Sequence, residues 1–460
     1  GSAYQFGGLV QPTDSFPFDT DAKIAFLACT QGTYPNFGNF SLRSGEVALF
    51  IYEGTWKKEI ISYYANTQIY GIRHFFNNAS PDLTRIGDAD LHRDLPVQNL
   101  MRRCVVDDTG AVRYYLNAND STKKEDGTEC RYILQRINTN VFPDVDALMS
   151  NFQLTTSHLF DNLDMPGEHI RGTVQTLRPT KDGKLYFEDF SGVWRMMTYF
   201  DNVYSLDIPD NAEVFYYTGI SFGRFIKAMI SVDPTKIKEV IPNFHNTKSR
   251  YSDLETAILS DPEKRVESVL DEITFVRART GLFGKITDAL ESGIIPTRIC
   301  HNDCNLNNIL FDEKTHLPVA IIDLDTVMLS SPLYDFGDSM RIGTNTAKDD
   351  EKDLNKVSCN LNLYDSYARG YLEACGDILT KEELELLPYA SLIITAEDGI
   401  RFLMDYINGD TYYHIDYPDQ NLDRARTQLK LLEDMEAKLP EIKRILQNIY
   451  NEQGLKAKVI

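Results

Sequence analysis

From about residue 210 almost to the C-terminus the apolar residues recur every three or four positions, whereas before that point they fall in short runs between Gly, Asp and Asn turns. A period of 3.6 builds helices and a period of 2 builds strands, so strands followed by helices along one chain predict an α+β architecture rather than alternating βαβ units. The last long segment shows the helical period most plainly: Leu422, Ala425, Leu429, Leu432, Met435 and Leu439 share one face. This pattern is interrupted at 297–328, where PVAIIDLDTVM reads as a buried strand followed by a turn.

Within the first part, 99–106 and 111–116 flank Asp107-Asp108-Thr109-Gly110, a four-residue hairpin connection ending in Gly. The polar tract 117–129 reads as a linker, and a boundary is expected there. CRYILQRI follows as a strand, then Asp144 or Asp146 caps a helix bearing Leu148, Phe152 and Leu159. GKLYFEDFSGVWRMMTYF supplies two more strands, and together these form a small α+β lobe. The expected domains are a β-rich module over 1–127, a small lobe over 128–205 and a helical lobe over 206–460.

Charge and cysteine usage narrow the function. Acids outnumber bases 68 to 47, a formal net charge of −21, so no basic surface is on offer for nucleic acid or an anionic membrane. Seven scattered cysteines with no CxxC pair read as reduced, buried thiols of a cytoplasmic protein. No run approaches the 18 or so apolar residues that cross a bilayer, and GSAYQFGG lacks the basic and apolar regions of a signal peptide.

The densest group of ligand-type side chains is HNDCNLNNILFD at 301–312, followed by PVAIIDLD at 318–325. Asp303, Asn308 and Asp323 are spaced 5 and 15 apart. Phosphoryl transfer asks for little covalent work from the protein. An Asp orients the acceptor hydroxyl, and an Asn with a second Asp holds Mg²⁺ on the nucleotide phosphates. Strand alternation through VAII is expected to put Asp323 and Asp325 on one face, where a carboxylate pair suits a hard dication. The competing structural explanation is that these acids merely cap turns.

HNDCNLNNILFD, AIIDLDTVM, LYDFGDSMRIGT and DDEKDLNKV resemble the aminoglycoside phosphotransferase and choline kinase superfamily, most closely its N-acetylhexosamine 1-kinase branch. RYILQRINTNVFPDVDALMSN, FHNTKSRYSDL and EDGIRFLMDYINGDTYYHIDYPDQNLDRARTQLKLLEDME are similar to that branch too, so the likeness spans about 131–445. It implies a protein-kinase-like fold of a small β-rich N-lobe and a large helical C-lobe, here with an additional β-rich N-terminal module. It also implies ATP and Mg²⁺, with Asp303 as catalytic base and Asn308 and Asp323 on the metal. The hinge would be Met196-Met197-Thr198-Tyr199-Phe200, with Met197 and Tyr199 at the adenine. Gln135 would stand where kinases carry a strand lysine, Arg401 and Tyr412 would contact the sugar, and His301, Asp335 and Asp338 would support the loop. The implied reaction is transfer of the γ-phosphoryl of ATP to O1 of GlcNAc or GalNAc.

The branch's Gly-rich turn G-x-G-H-I-N is missing ahead of YILQRI. If the 99–116 hairpin takes the place of the first two strands, its tip carries two carboxylates. The only other trace is Phe37-Gly38-Asn39-Phe40-Ser41, about ninety residues early. Gly281 to Thr287 lacks the GxxxxGK[ST] spacing of a phosphate loop. The alternatives to a sugar 1-kinase are a kinase-like binding protein or pseudokinase with a fused β-rich module, or a kinase for another small alcohol.

Overall fold

The computed structural model describes residues 5–10, 24–28, 32–42, 47–52, 56–61, 101–106, 112–116, 132–163, 165, 174–180, 182–189 and 192–458. By compactness the chain divides into two units. One gathers Gly1–Asp107, Ala111–Ile137 and Leu177–Tyr199, the other Asn138–Thr176 and Phe200–Ile460.

The first unit is built of strands. β1 (Gln5–Val10) pairs parallel with β2 (Ile24–Ala28); β3 (Gly32–Tyr34) and β4 (Phe40–Leu42) form a hairpin; β5 (Val47–Tyr52) joins β2 to β6 (Trp56–Ile61). Ala28, Tyr34, Phe37, Ala48 and Phe50 are buried together with Phe40 and Trp56 against them, and the Tyr34 and Phe50 rings meet edge to face at 4.9 Å. The trace at residues 37–41 is therefore the β3–β4 turn. Gly38 sits there at φ +85°, and a Cβ on it would come within 2.6 Å of Trp56 Cβ.

A second sheet follows the order β10-β11-β9-β8-β7, from β7 (Met101–Val106), β8 (Val112–Leu116), β9 (Tyr132–Ile137), β10 (Phe187–Asp189) and β11 (Gly192–Thr198). The predicted hairpin exists, with Val106 opposite Val112, and β8 pairs with β9 from Tyr132 to Arg136. The boundary expected at 127/128 thus falls between adjacent strands of one sheet, and the hairpin belongs with the strands after it. Its tip and the 117–129 tract lie outside the described residues.

Helices make up most of the second unit. α1 (Val145–Asn162) starts at Asp144, whose Oδ1 accepts from Ala147 N at 2.9 Å, and it buries Leu148, Phe152 and Leu159. It groups with the helical unit, not with the strands that flank it in sequence. α2 (Ala212–Met229), α3 (Thr247–Ser260), α4 (Leu270–Arg277), α5 (Thr280–Phe283) and α6 (Lys285–Glu291) come next. The sequence from Gly281 to Thr287 is thus helical, not a phosphate loop.

Short strands then replace helices. β12 (Val203–Tyr204) pairs with β14 (Ile309–Asp312), which pairs with β15 (Pro318–Ile321), and β13 (Arg298–Cys300) pairs with β16 (Met328–Ser330). α7 (Pro332–Thr344), α8 (Leu361–Cys375), α9 (Lys381–Ile407), α10 (Gln420–Ala437) and α11 (Leu439–Gln453) complete the unit. The predicted continuous final helix breaks at Lys438, and Leu439 opens α11 with Pro440 in its first turn, where a missing N–H costs nothing. α9 begins with a full capping box from Thr380 and Glu383. The α+β class, the helical C-terminal part and the β-rich N-terminal segment are all as expected.

Cys300, Cys304, Cys359 and Cys375 are free and buried. The side chains of Cys29, Cys104 and Cys130 lie outside the described set. Among the described residues no helix is long and apolar enough to cross a membrane.

Candidate active site

The loop after β13 is fixed from its backbone outward. Asp335, in the first turn of α7, accepts from His301 N at 2.9 Å with one carboxylate oxygen and from Asn302 N at 2.7 Å with the other. The Asn302 side chain donates to Thr326 O at 2.9 Å, and Thr326 Oγ1 donates back to His301 O at 2.7 Å. His301 Nε2 lies 3.0 Å from Ile322 O. Asn302 takes φ +65°, a left-handed turn that Asn tolerates, and so swings the chain into Asp303. Asp335, the first residue of Asp-Phe-Gly, serves the loop as the resemblance implies, whereas Asp338 pairs with Arg341 Nη2 at 2.9 Å instead.

Asp303 is held by two amides: Asn305 Nδ2 donates to its Oδ1 at 2.6 Å and Asn308 Nδ2 to its Oδ2 at 3.0 Å. Burial first, then the negative charges of Asp338 and Asp323, push its carboxyl up to about 7, against the pull of the Asn308 hydrogen bond and of Arg341. A carboxylate poised near neutral pH and still offering lone pairs is suited to orient a hydroxyl and take its proton.

Asn308 and Asp323 come together through the β14–β15 hairpin. Ile309 pairs with Ile321, and Ile322 N donates to Asn308 O at 2.9 Å, which sets Asp323 beside Asn308. The predicted sharing of one face by Asp323 and Asp325 does not occur. The strand ends at Ile321, Asp323 turns left-handed at φ +60°, and a 3₁₀ turn over Leu324–Thr326 buries Asp325 while Asp323 stays half-buried. Alternation stops where the strand stops. One amide oxygen and one carboxylate are hard donors that fit Mg²⁺, an ion that takes one or two carboxylates and completes its shell with phosphates and water. Among the described residues no group of three or more His, Cys, Asp or Glu could hold a metal by itself.

A chain of alternating charge leads from this loop toward the expected acceptor residues. Arg341 pairs with Asp338 and, through Nε at 3.0 Å, with Asp398 of α9; Asp398 in turn pairs with Arg401 at 3.1 Å. The Arg401 guanidinium stands 5.5 Å over the Tyr413 ring, and Tyr412 meets Tyr413 edge to face at 4.8 Å. Tyr412 is 55% exposed. Its loop is gathered around the buried Asp405, whose carboxylate accepts from the N–H groups of Thr411, Tyr412 and Tyr413 at 2.8 to 3.0 Å and from Asn421 Nδ2 at 2.9 Å. Arg341, Asp398 and Asp405 were missed by the sequence reading. The one legible hint is the i, i+4 spacing of Glu397, Arg401 and Asp405, which with Asp398 are the only charged residues of that helix after Glu385.

The residues expected at the nucleotide lie in the strand unit. Gln135 of β9 stands opposite Arg195 of β11, and its Oε1 accepts from Arg195 Nε at 2.9 Å and Nη2 at 2.6 Å. Both are buried. Met196 O accepts from Arg178 N at 2.8 Å, and Met197 is buried between Ile133 and a bridge to Leu177. Tyr199 is half-buried, one residue past the end of β11.

Residues 170–386, a little under half of the chain, match the model of the phosphotransferase enzyme family. Among solved structures, an aminoglycoside phosphotransferase from Alicyclobacillus acidocaldarius is 15% identical over 76% of this chain and 93% of that one, with a TM-score of 0.44. A choline kinase from Cryptosporidium parvum is 11% identical over 85% and 97%, at 0.45. An ethanolamine kinase from Plasmodium vivax is 9% identical over 75% and 85%, at 0.42. Identities this low leave the acceptor to be argued from the chain's own residues.

Proposed function

We propose, from a chain whose residues 170–386 match the model of the phosphotransferase enzyme family, that it transfers the γ-phosphoryl group of ATP to the anomeric hydroxyl of an N-acetylhexosamine, GlcNAc or GalNAc. The observation that carries this reading is Asp303, pinned by Asn305 and Asn308 on a loop locked by Asp335, with its carboxyl raised toward neutrality. In the proposed step Asp303 accepts the proton of O1 as that oxygen bonds to the γ-phosphorus, and the bond to the β-phosphate oxygen breaks to release ADP. Asn308 and Asp323 would hold Mg²⁺, which when bound neutralises charge on the phosphates. Gln135 with Arg195 beside it offers an amide and a guanidinium for the phosphates where a lysine is absent, and the backbone at Met197 and Tyr199 is assigned to the adenine.

Arg401 and Tyr412 are assigned to the sugar. Arg401, over the Tyr413 ring and paired with Asp398, offers N–H groups to the hydroxyl and acetamide oxygens of a neutral polyol, whereas an ammonium acceptor would need an acceptor oxygen in its place. Release of ADP from ATP and Mg²⁺ is the test, over GlcNAc, GalNAc, galactose, choline and kanamycin. Turnover confined to the two N-acetylhexosamines is expected. Turnover with choline or kanamycin alone overturns the acceptor, and silence from folded protein overturns the kinase reading itself.

A further inference from the structure

His245 stands just ahead of α3 with its side chain 8% exposed, against Glu397 at 1%. Its Nδ1 lies 3.0 Å from Glu397 Oε1 and its Nε2 lies 2.9 Å from the main-chain oxygen of Asn302. The second Glu397 oxygen accepts from Thr247 Oγ1 at 2.7 Å. A carbonyl and a carboxylate only accept, so both ring contacts are hydrogen bonds only when both ring nitrogens carry hydrogen, which is the imidazolium form. Asn302 is the left-handed residue immediately before Asp303, and its N–H is already committed to Asp335. With its oxygen committed to His245, the peptide groups on both sides of Asn302 are tied down.

We propose that His245, held as an imidazolium by Glu397, is a positioning residue that fixes the Asn302 carbonyl and through it the direction of Asp303. The consequence for turnover rests on the kinase reading above. The groups that face the ring come from three elements. Glu397 approaches from α9; Asp335 and Asp338 act from α7, where the Tyr334 ring also stacks at 5.2 Å; Phe244 and Thr247 flank it along its own chain, Phe244 at 4.6 Å. Burial opposes the charge, but the Glu397 hydrogen bond and charge, the Asn302 carbonyl and Asp338 outweigh it and hold the imidazole above its ordinary value. Removing one proton would leave a ring lone pair facing an oxygen lone pair, at Glu397 in one tautomer and at the Asn302 carbonyl in the other, and so loosen the ring's hold on the loop.

Glu397→Gln separates positioning from folding, because the amide keeps an acceptor for Nδ1 and a partner for Thr247 while removing the charge. Two readouts on the full-length protein test the idea. The first is the ¹⁵N spectrum of His245 with the amide signals of Asn302 and Asp303, which does not depend on activity. The His245 ring should keep its second proton to higher pH in wild type than in E397Q, and in each protein the two amides should move together with the ring midpoint. The second is the pH profile of ADP release read as the ratio of E397Q to wild-type kcat, in which the titration of Asp303 common to both proteins cancels: the ratio should fall about tenfold or more as pH rises from about 6 to about 8. A ring midpoint no lower in E397Q than in wild type overturns the proposal, as does a kcat ratio that stays flat with pH. If neither protein releases ADP, the kinase reading fails, and the spectra alone decide the positioning role.

Discussion

A single carboxylate concentrates the chemistry of this chain, and it is costly to fold. Asp303 titrates near 3.8 when free and is pushed up to about 7 in the folded protein. A raised acid disfavours folding above its unfolded value, because the folded state must then hold a charge it resists. The penalty grows as pH rises from about 4 and is complete above about 7. Asp303→Asn removes it, at the loss of one amide hydrogen bond. Without nucleotide or metal, the variant should unfold at a higher urea concentration than wild type at pH 8, by about 1–2 kcal/mol, with the gain vanishing toward pH 4. It should also lose a factor of about 10²–10⁴ in kcat. Equal stability of the two proteins at pH 8 would show that the carboxyl is not raised.

At the scale of elements, two helices carry the supports of the site. Asp335, Asp338 and Arg341 recur every third residue along α7, and Glu397, Arg401 and Asp405 every fourth along α9, so each set lines one face. The helices meet at Gly337, where a Cβ would come within 2.5 Å of Ala390 O and 2.7 Å of its carbonyl carbon. This close approach, not a metal, accounts for the glycine of Asp-Phe-Gly. Gly337→Ala must push backbone from backbone. It should cost about 2–3 kcal/mol by urea midpoint and lower kcat through Asp335; a variant within a few tenths of wild type would mean that the helices part freely.

This scale also shows what could be read in advance. Asp303, Asn308 and Asp323 lie within one short stretch whose spacing belongs to its chemistry, and the β9 and β11 strands announce themselves as short, largely apolar runs between turns. His245, Glu397, Asp398 and Asp405 were not legible as a group, because about 150 residues separate His245 from its partner and each alone is an ordinary polar residue at a helix end or on an amphipathic face. The turn at Asp323 was misread for a different reason: strand alternation says nothing of where the strand stops, and the stop depends on the Ile322 to Asn308 hydrogen bond.

Considered whole, the chain does not cut where its composition suggests. The charged tract at 117–129 has every mark of a linker, yet β8 before it pairs residue by residue with β9 after it. A chain starting at residue 128 should lose β7 and β8, expose the β9 edge and aggregate, whereas one starting at about residue 99 should keep the five-stranded sheet. Soluble, cooperatively unfolding protein from the shorter chain would show that the hairpin is dispensable.

The same sheet has an order of assembly written into it. β11 lies between β10 and β9, and the whole of α1, which groups with the other unit, is spelled between β9 and β10. A ribosome therefore delivers the hairpin and β9 long before the strand that covers them. For the roughly 50 residues separating β9 from β10, or several seconds at about 5–20 residues per second, the nascent chain holds a half-built sheet whose β9 edge still lacks its partner. Synonymous codons that slow translation between residues 138 and 186 would lengthen that exposure without altering a single side chain of the finished molecule.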